Sequence, residues 1–175
     1  MIEGKMIQLA GRRAAYLVGI AAIGLSLTAA HPGSHDAPRT PTSANPGAPV
    51  DAATPVGTVM AFHEALASGN TAGALALLAE DVMIFESGGV ENSRDEYASH
   101  HLKSDAAFSA AVPRTLVSRN QGTQNNMAWV LSVETVAGTY RNQAINSRSV
   151  ETMLLRLIDR QWRIVHIHWS SASND

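Results

Sequence analysis

The chain has 175 residues, 45% of them hydrophobic and 16% charged, with a formal net charge of −2. That length suits one domain with a real core rather than two, and the apolar fraction excludes a wholly disordered chain. With no cysteine present, disulfides, thiolate metal ligands, a cysteine nucleophile and a lipid-modified N-terminal cysteine are all excluded.

At the N-terminus Lys5, Arg12 and Arg13 precede an uncharged run, AAYLVGIAAIGLSLTAA, whose small residues Thr28 and Ala30 are placed for cleavage before His31. This pattern predicts a signal peptide over residues 1–30 and export, with a bacterial periplasm as the natural destination. The alternative is a leader retained as a membrane anchor, for which the run is about long enough but rich in Ala and Gly rather than Leu. Without residues 1–30 the chain keeps ten basic residues against fourteen acidic ones, hence a net charge of −4. A mildly acidic chain with no Lys/Arg stripe argues against nucleic acid as a partner.

Residues 31–55 hold six of the seven prolines and almost no large apolar side chain. They cannot bury enough surface to offset their ordering entropy, so they read as a flexible tether, in which His31 and His35 are solvated. The domain is expected over residues 56–175. Pro55 suits a first helical turn, and Val56, Val59, Met60, His63, Leu66 and Ala67 recur at helical spacing until Ser68-Gly69-Asn70. This puts His63 in the apolar stripe. A second short helix is expected from Thr71 to Leu78 and a strand from Val82 to Ser87, closed by Gly88-Gly89 as a turn. Ser93 with Glu96 forms a capping-box pattern that opens a third helix reaching Phe108. On it Tyr97, His101 and Asp105 share one face, while His100 points about one hundred degrees away from His101. Four strands follow, Arg114 to Arg119, Met127 to Val136, Arg148 to Ile158 and Trp162 to Ser170, as in an antiparallel meander. Helices segregated on one face of such a sheet make an α+β domain, and if the sheet curves they enclose a pocket on its concave side.

The segments FHEALASGN, LLAEDVMIFESGG, EYASHHLKSDAAF and WRIVHIHWSS resemble the SnoaL-like branch of the nuclear transport factor 2-like, or cystatin-like, superfamily. The resemblance spans residues 56 to 171. It implies a cone-shaped α+β fold in which three N-terminal helices pack on the concave face of a strongly curved, mostly antiparallel sheet. It also implies a pocket between sheet and helices and frequent homodimerisation through the sheet. Members include isomerases, cyclases, dehydratases, accessory subunits and proteins with no known catalysis, so the resemblance speaks for fold more than for activity. The Asp or Asp-His general bases of its isomerases and cyclases are not carried over, because Asp105 and Tyr97 lie in no motif specific to those enzymes.

In the last strand Val165, Ile167 and Trp169 fall on one side and His166, His168 and Ser170 on the other. If the histidine side is concave, His166 and His168 join His63 and His101 in one cavity, with Glu86 as acidic neighbour and Asp105 placed to hold the His101 ring. Three readings of these groups stand open. Four imidazoles in one pocket would suit a metal ion such as Zn or Cu. Without metal, they would bind a small molecule or act on it as general acid and base with a carboxylate, as an isomerase, cyclase or dehydratase does. The third reading is structural, with His166 and His168 on the outer face and Val165, Ile167 and Trp169 in the core. The ligand-pocket set is thus His63, Glu86, Tyr97, His101, Asp105, His166 and His168. Glu134 and Glu151 read as solvated or paired surface carboxylates, and Trp129 and Trp162 as packing residues. Ser170 and Ser171 beside His168 lack the G-x-S-x-G turn of a hydrolase nucleophile.

Overall fold

The computed structural model describes residues 53–174. The leader expected at 1–30 and all but the last three residues of the tether expected at 31–55 lie outside the described residues. Helix α1 spans Pro55–Ala67. Thr54 caps it, its hydroxyl accepting the Gly57 amide at 3.0 Å, and Pro55 takes the first turn, where no helical N–H bond is lost. The buried side comprises Thr58, Val59, Phe62, Ala65 and Leu66. That side is rotated from the expected stripe: Met60 is exposed while Phe62 is wholly buried, because the aromatic ring removes more apolar area from water. Helix α2, Thr71–Leu77, is capped by Asn70, whose Oδ1 accepts the Gly73 amide at 3.0 Å.

Two helices, α3 at Arg94–His100 and α4 at Leu102–Ala111, replace the single helix expected from Ser93 to Phe108. Ser93 Oγ accepts the Glu96 amide at 3.1 Å as the capping box predicts. The returning Glu96 carboxylate takes the Asn92 amide instead, at 2.6 Å. Neighbouring residues of an unbroken helix diverge by about 100°, yet His100 and His101 both reach the carboxylate of Glu91. The break at His101 lets them do so.

The strands are β1 (Leu78–Glu86), β2 (Gly89–Glu91), β3 (Arg114–Gln124), β4 (Met127–Tyr140), β5 (Gln143–Ile158) and β6 (Gln161–Ser173). They form one curled, unclosed sheet in the order β2-β1-β6-β5-β4-β3. Only β1 and β6 pair in parallel; the remaining pairs are antiparallel. The expected strands are all present and longer than expected. Strand β2 begins inside the expected Gly88-Gly89 turn, and its three residues are too few to show a period. Loops 87–88, 141–142 and 159–160 each place both residues at positive φ, the geometry whose twist matches a tight hairpin.

Strand β6 carries the feature that decides facing. Leu154 pairs with His166 but Leu155 pairs with Ile164, which leaves Val165 as an extra, bulged residue. The bulge shifts parity by one, so Ile164, Ile167 and Trp169 are buried together and His166 and His168 stand on the opposite, outer face. There His166 Nδ1 lies 3.0 Å from the Met83 carbonyl oxygen, and the Phe85 ring packs edge-on against both imidazoles. The core between helices and concave face is built on Val59, Phe62, Leu66, Tyr97, Met153, Leu155, Ile164 and Ile167.

Asp159 and Arg160 sit at φ 48° and 64°, a region that costs an L-residue on the order of 1 kcal/mol. Arg160→Gly is therefore expected to stabilise the domain by roughly 0.5–1 kcal/mol, the relief exceeding the added chain entropy. Urea unfolding checks this: the midpoint should rise with an unchanged slope, and a fall would show the loop to be unstrained.

Candidate functional site

Helices and sheet part near the end of β1 to leave two adjoining chambers. The first, of about 130 Å³, is bounded by Asp105, Phe108 and Ser109 of α4, Glu86 and Ser87, Arg114, Ser147 and Ser149 of β5, and Trp169, Ser170 and Ser171 of β6. The second, of about 150 Å³, is bounded by Ile84, Glu91, Tyr97 and His101, and shares Glu86, Ser87, Asp105 and Trp169 with the first. Cavities of this size hold about one six-membered ring each.

The shared wall carries two carboxyl groups. Burial pushes Glu86 up from its ordinary 4.5, and the nearby charge of Asp105 pushes it further. Burial likewise raises Asp105 above its ordinary 3.8, against the pull of Tyr97, His101 and Arg114. Two such groups facing one cavity resist ionising together, so the pair retains a proton to higher pH than either carboxyl would in water. Tyr97 is fully buried and donates its hydroxyl proton to Asp105 Oδ2 at 3.0 Å. Burial and the charge of Asp105 push the phenol far upward, so it stays a neutral donor that orients the carboxyl.

Beneath the first chamber lies a different polar group. Glu151, whose side chain is fully buried, presents Oε2 to His63 Nε2 at 2.8 Å and to Arg114 Nη1 at 3.8 Å. The same oxygen accepts the Trp169 indole N–H at 2.7 Å. Arg114 Nη1 also donates to Glu134 Oε2 at 3.0 Å. Burial alone would raise Glu151, but His63, the indole and Arg114 outweigh it and hold the carboxyl below its ordinary 4.5. His63 Nδ1, Arg114 Nε and Glu151 Oε1 are buried without a protein hydrogen-bond partner. Such atoms call for ordered water or a ligand oxygen.

The residues singled out from the sequence separate into four places. Glu86, Tyr97, Asp105 and His101 border the chambers. His63 lies under them on Glu151, and His166 and His168 are on the outer face of β6. His101 is held by Glu91 through Nδ1, not by Asp105, which Tyr97 occupies. The four imidazoles His63, His101, His166 and His168 are not among the side-chain groups of the described residues whose donor atoms could share one ion. The physical reason is the bulge at Val165, which turns His166 and His168 away.

Glu134 and Glu151 are paired but buried, correcting the surface reading, and with Arg114 and Trp169 they are the site residues that sequence reasoning missed. A signal was present: Glu134 stands an even number of positions from Val130 and Val136, and Glu151 from Met153 and Leu155. A carboxylate in the inward register of an alternating strand is a buried carboxylate.

Comparison with known proteins bears on the whole domain. A family model described as SnoaL-like domain matches residues 57–174. No curated protein matches the chain. Among solved structures, a provisionally named ketosteroid isomerase from Shewanella frigidimarina is 36% identical at a TM-score of 0.65, covering 69% of this chain and 97% of that one. A provisionally named dehydratase of the NTF2-like family from Streptomyces avermitilis is 20% identical at a TM-score of 0.55, covering 67% and 92%. The hub of CaMKII from S. rosetta is 19% identical at 0.56, covering 68% and 98%. The last two show likeness of fold.

Glu151→Gln is expected to cost on the order of 3 kcal/mol, since it removes the buried charge on which the Arg114 guanidinium, the His63 ring and the Trp169 indole converge. The sign follows from the lowered carboxyl: its stabilisation is complete above pH 4.5 and is lost as pH falls through the lower folded value. Urea midpoints at several pH values should therefore show a penalty that shrinks in acid. Asp105→Asn should behave oppositely. Ionising a raised carboxyl destabilises the fold, so this variant should gain on the parent as pH climbs above 3.8. Parallel pH profiles for parent and either variant would contradict the assignment for that residue.

Proposed function

The chain belongs to the SnoaL-like domain family, and from that premise we propose that its chambers bind a small, neutral, oxygenated molecule and move a proton on it. The carrying observation is the Asp105 and Glu86 pair, both raised by burial, Glu86 further by the charge of Asp105, and facing the same space. One member, ionised, takes a proton from carbon or hydroxyl. The other, still protonated, donates to the oxygen on which charge develops. A raised carboxylate is the stronger base, and the match between its pKa and the working pH favours transfer. Tyr97 spends its single hydroxyl proton on Asp105 and is a positioning residue.

Substrate character follows from the walls. The lining carboxyl groups Glu86, Glu91 and Asp105 outnumber the Arg114 guanidinium, so a substrate anion would be repelled. Ser147, Ser149 and Ser171 offer hydroxyls to oxygen functions. The chamber volumes favour one or two rings over a larger skeleton. The names carried by the Shewanella and Streptomyces proteins, an isomerase and a dehydratase, both describe reactions that relocate or remove a proton, in keeping with this reading.

Two further parts of the proposal concern setting. Export to a bacterial periplasm rests on residues 1–30. A homodimer through the outer sheet face rests on the apolar groups exposed there, Met83, Leu131 and Val150, flanking His166 and His168.

Exchange of carbon-bound hydrogen in D2O, followed by NMR over a panel of cyclic ketones, enones and β-hydroxy ketones, tests the chemistry across the substrate class. Asp105→Asn should slow exchange on the order of 100-fold or more, while Tyr97→Phe should displace its pH profile. Exchange absent across the panel, or unchanged in Asp105→Asn, would sink the reading. Light scattering tests the assembly: the parent should have dimer mass, and Leu131→Glu with Val150→Glu should have monomer mass.

A further inference from the structure

We propose that Glu91, Glu96 and His100 form a site for a divalent transition-metal ion, Zn2+ by its chemistry, where β2 meets α3 at the border of the second chamber. One donor atom from each of the three lies within 4.8 Å of the others. Tetrahedral ligands at about 2.0–2.2 Å from an ion stand roughly 3.5 Å apart. Rotation of the two more exposed side chains, Glu96 and His100, closes that difference.

The members differ in how firmly they are held. Glu91 is the fixed one, its side chain only 6% exposed and its position set by the β1–β2 hairpin. His101 Nδ1 engages its Oε1, which leaves Oε2 directed at His100 Nδ1, 3.3 Å away. His101 thus orients the ligand from behind, as outer partners of metal ligands do. Glu96 and His100 are four residues apart on α3 and share a helix face. Glu96 can keep Oε2 on its Asn92 cap and give its other oxygen to the ion. The break at His101, which brings both imidazoles to Glu91, is what completes the cluster.

The donor set selects the occupant. One imidazole, two carboxylates and a remaining open position suit Zn2+, or Co2+ and Ni2+ with it. Ca2+ asks for six to eight oxygens, more than the cluster offers. A dication also neutralises the two carboxylates that otherwise face each other across the cluster. The site is separate from the Asp105 and Glu86 pair and stands whether or not that pair is catalytic.

Isothermal titration of the untagged full chain with Zn2+ and with Ca2+ tests it, each variant first checked for an unchanged unfolding midpoint. One Zn2+ per chain is expected, with Ca2+ far weaker. His100→Ala and Glu96→Gln should each weaken Zn2+ at least about tenfold, the lower bound for losing even an outer partner. The His166→Ala/His168→Ala and His31→Ala/His35→Ala doubles should bind as the parent does. Affinity should fall in acid, because protons compete with the ion for the imidazole and carboxylate ligands. Absence of Zn2+ binding, or binding that neither His100→Ala nor Glu96→Gln weakens, would overturn the proposal.

Discussion

The buried carboxylate of Glu151 is the joint between the helices and the sheet. It sits on β5, and its Oε2 meets His63 from α1, Trp169 from β6 and Arg114 from β3. An ionised carboxyl removed from water loses several kcal/mol of hydration, and only well-placed partners offset that. Three elements distant in sequence must therefore arrive together for the floor to form. Once they do, the indole of Trp169 is held at its N–H and stacks on Phe62 at a centroid distance of 6.5 Å. The same indole borders both chambers, so the floor contact sets the shape of the space above it.

Carboxyl groups of one chemical kind are pushed in opposite directions within this small volume. Glu151 is surrounded by donors and is held low, whereas Asp105 and Glu86 face a shared chamber that strips part of their hydration and are raised. The difference lies in which neighbours each receives, since burial alone raises all three. A low carboxyl suits a structural tie and a raised one suits proton transfer. Arg114 stands between the two regions, paired with Glu134 and Glu151 while also tempering Asp105.

Much of this was legible in the chain. Pro55 and Ser93 marked helix starts, one by its fixed φ and the other because a cap is a contact between residues three apart. Turn residues between Met127 to Val136 and Arg148 to Ile158 marked strands, and Tyr97 and Asp105, expected on one face of a single helix, fall on α3 and α4 and are hydrogen-bonded to each other. The histidines of β6 were ambiguous for a definite reason. Alternation orders neighbours onto two faces without saying which face is inner, and the bulge at Val165 reset the order midway. The break at His101 escaped for a similar reason, since the contact it permits is with a carboxylate ten residues away on β2.

The sequence by itself determined the α+β class, the order of helices and strands apart from β2 and the division of α3 from α4, and the family resemblance that the match over residues 57–174 bears out. Those features rest on periodicity, caps and turns, which act over a few residues. Tertiary structure alone decided which face of β6 turned inward, that Glu134 and Glu151 were buried, and which carboxyl groups are raised and which is lowered. Each depends on pairing between strands or on exclusion of water by distant elements, and free energies of that kind exist only when the chain has closed on itself.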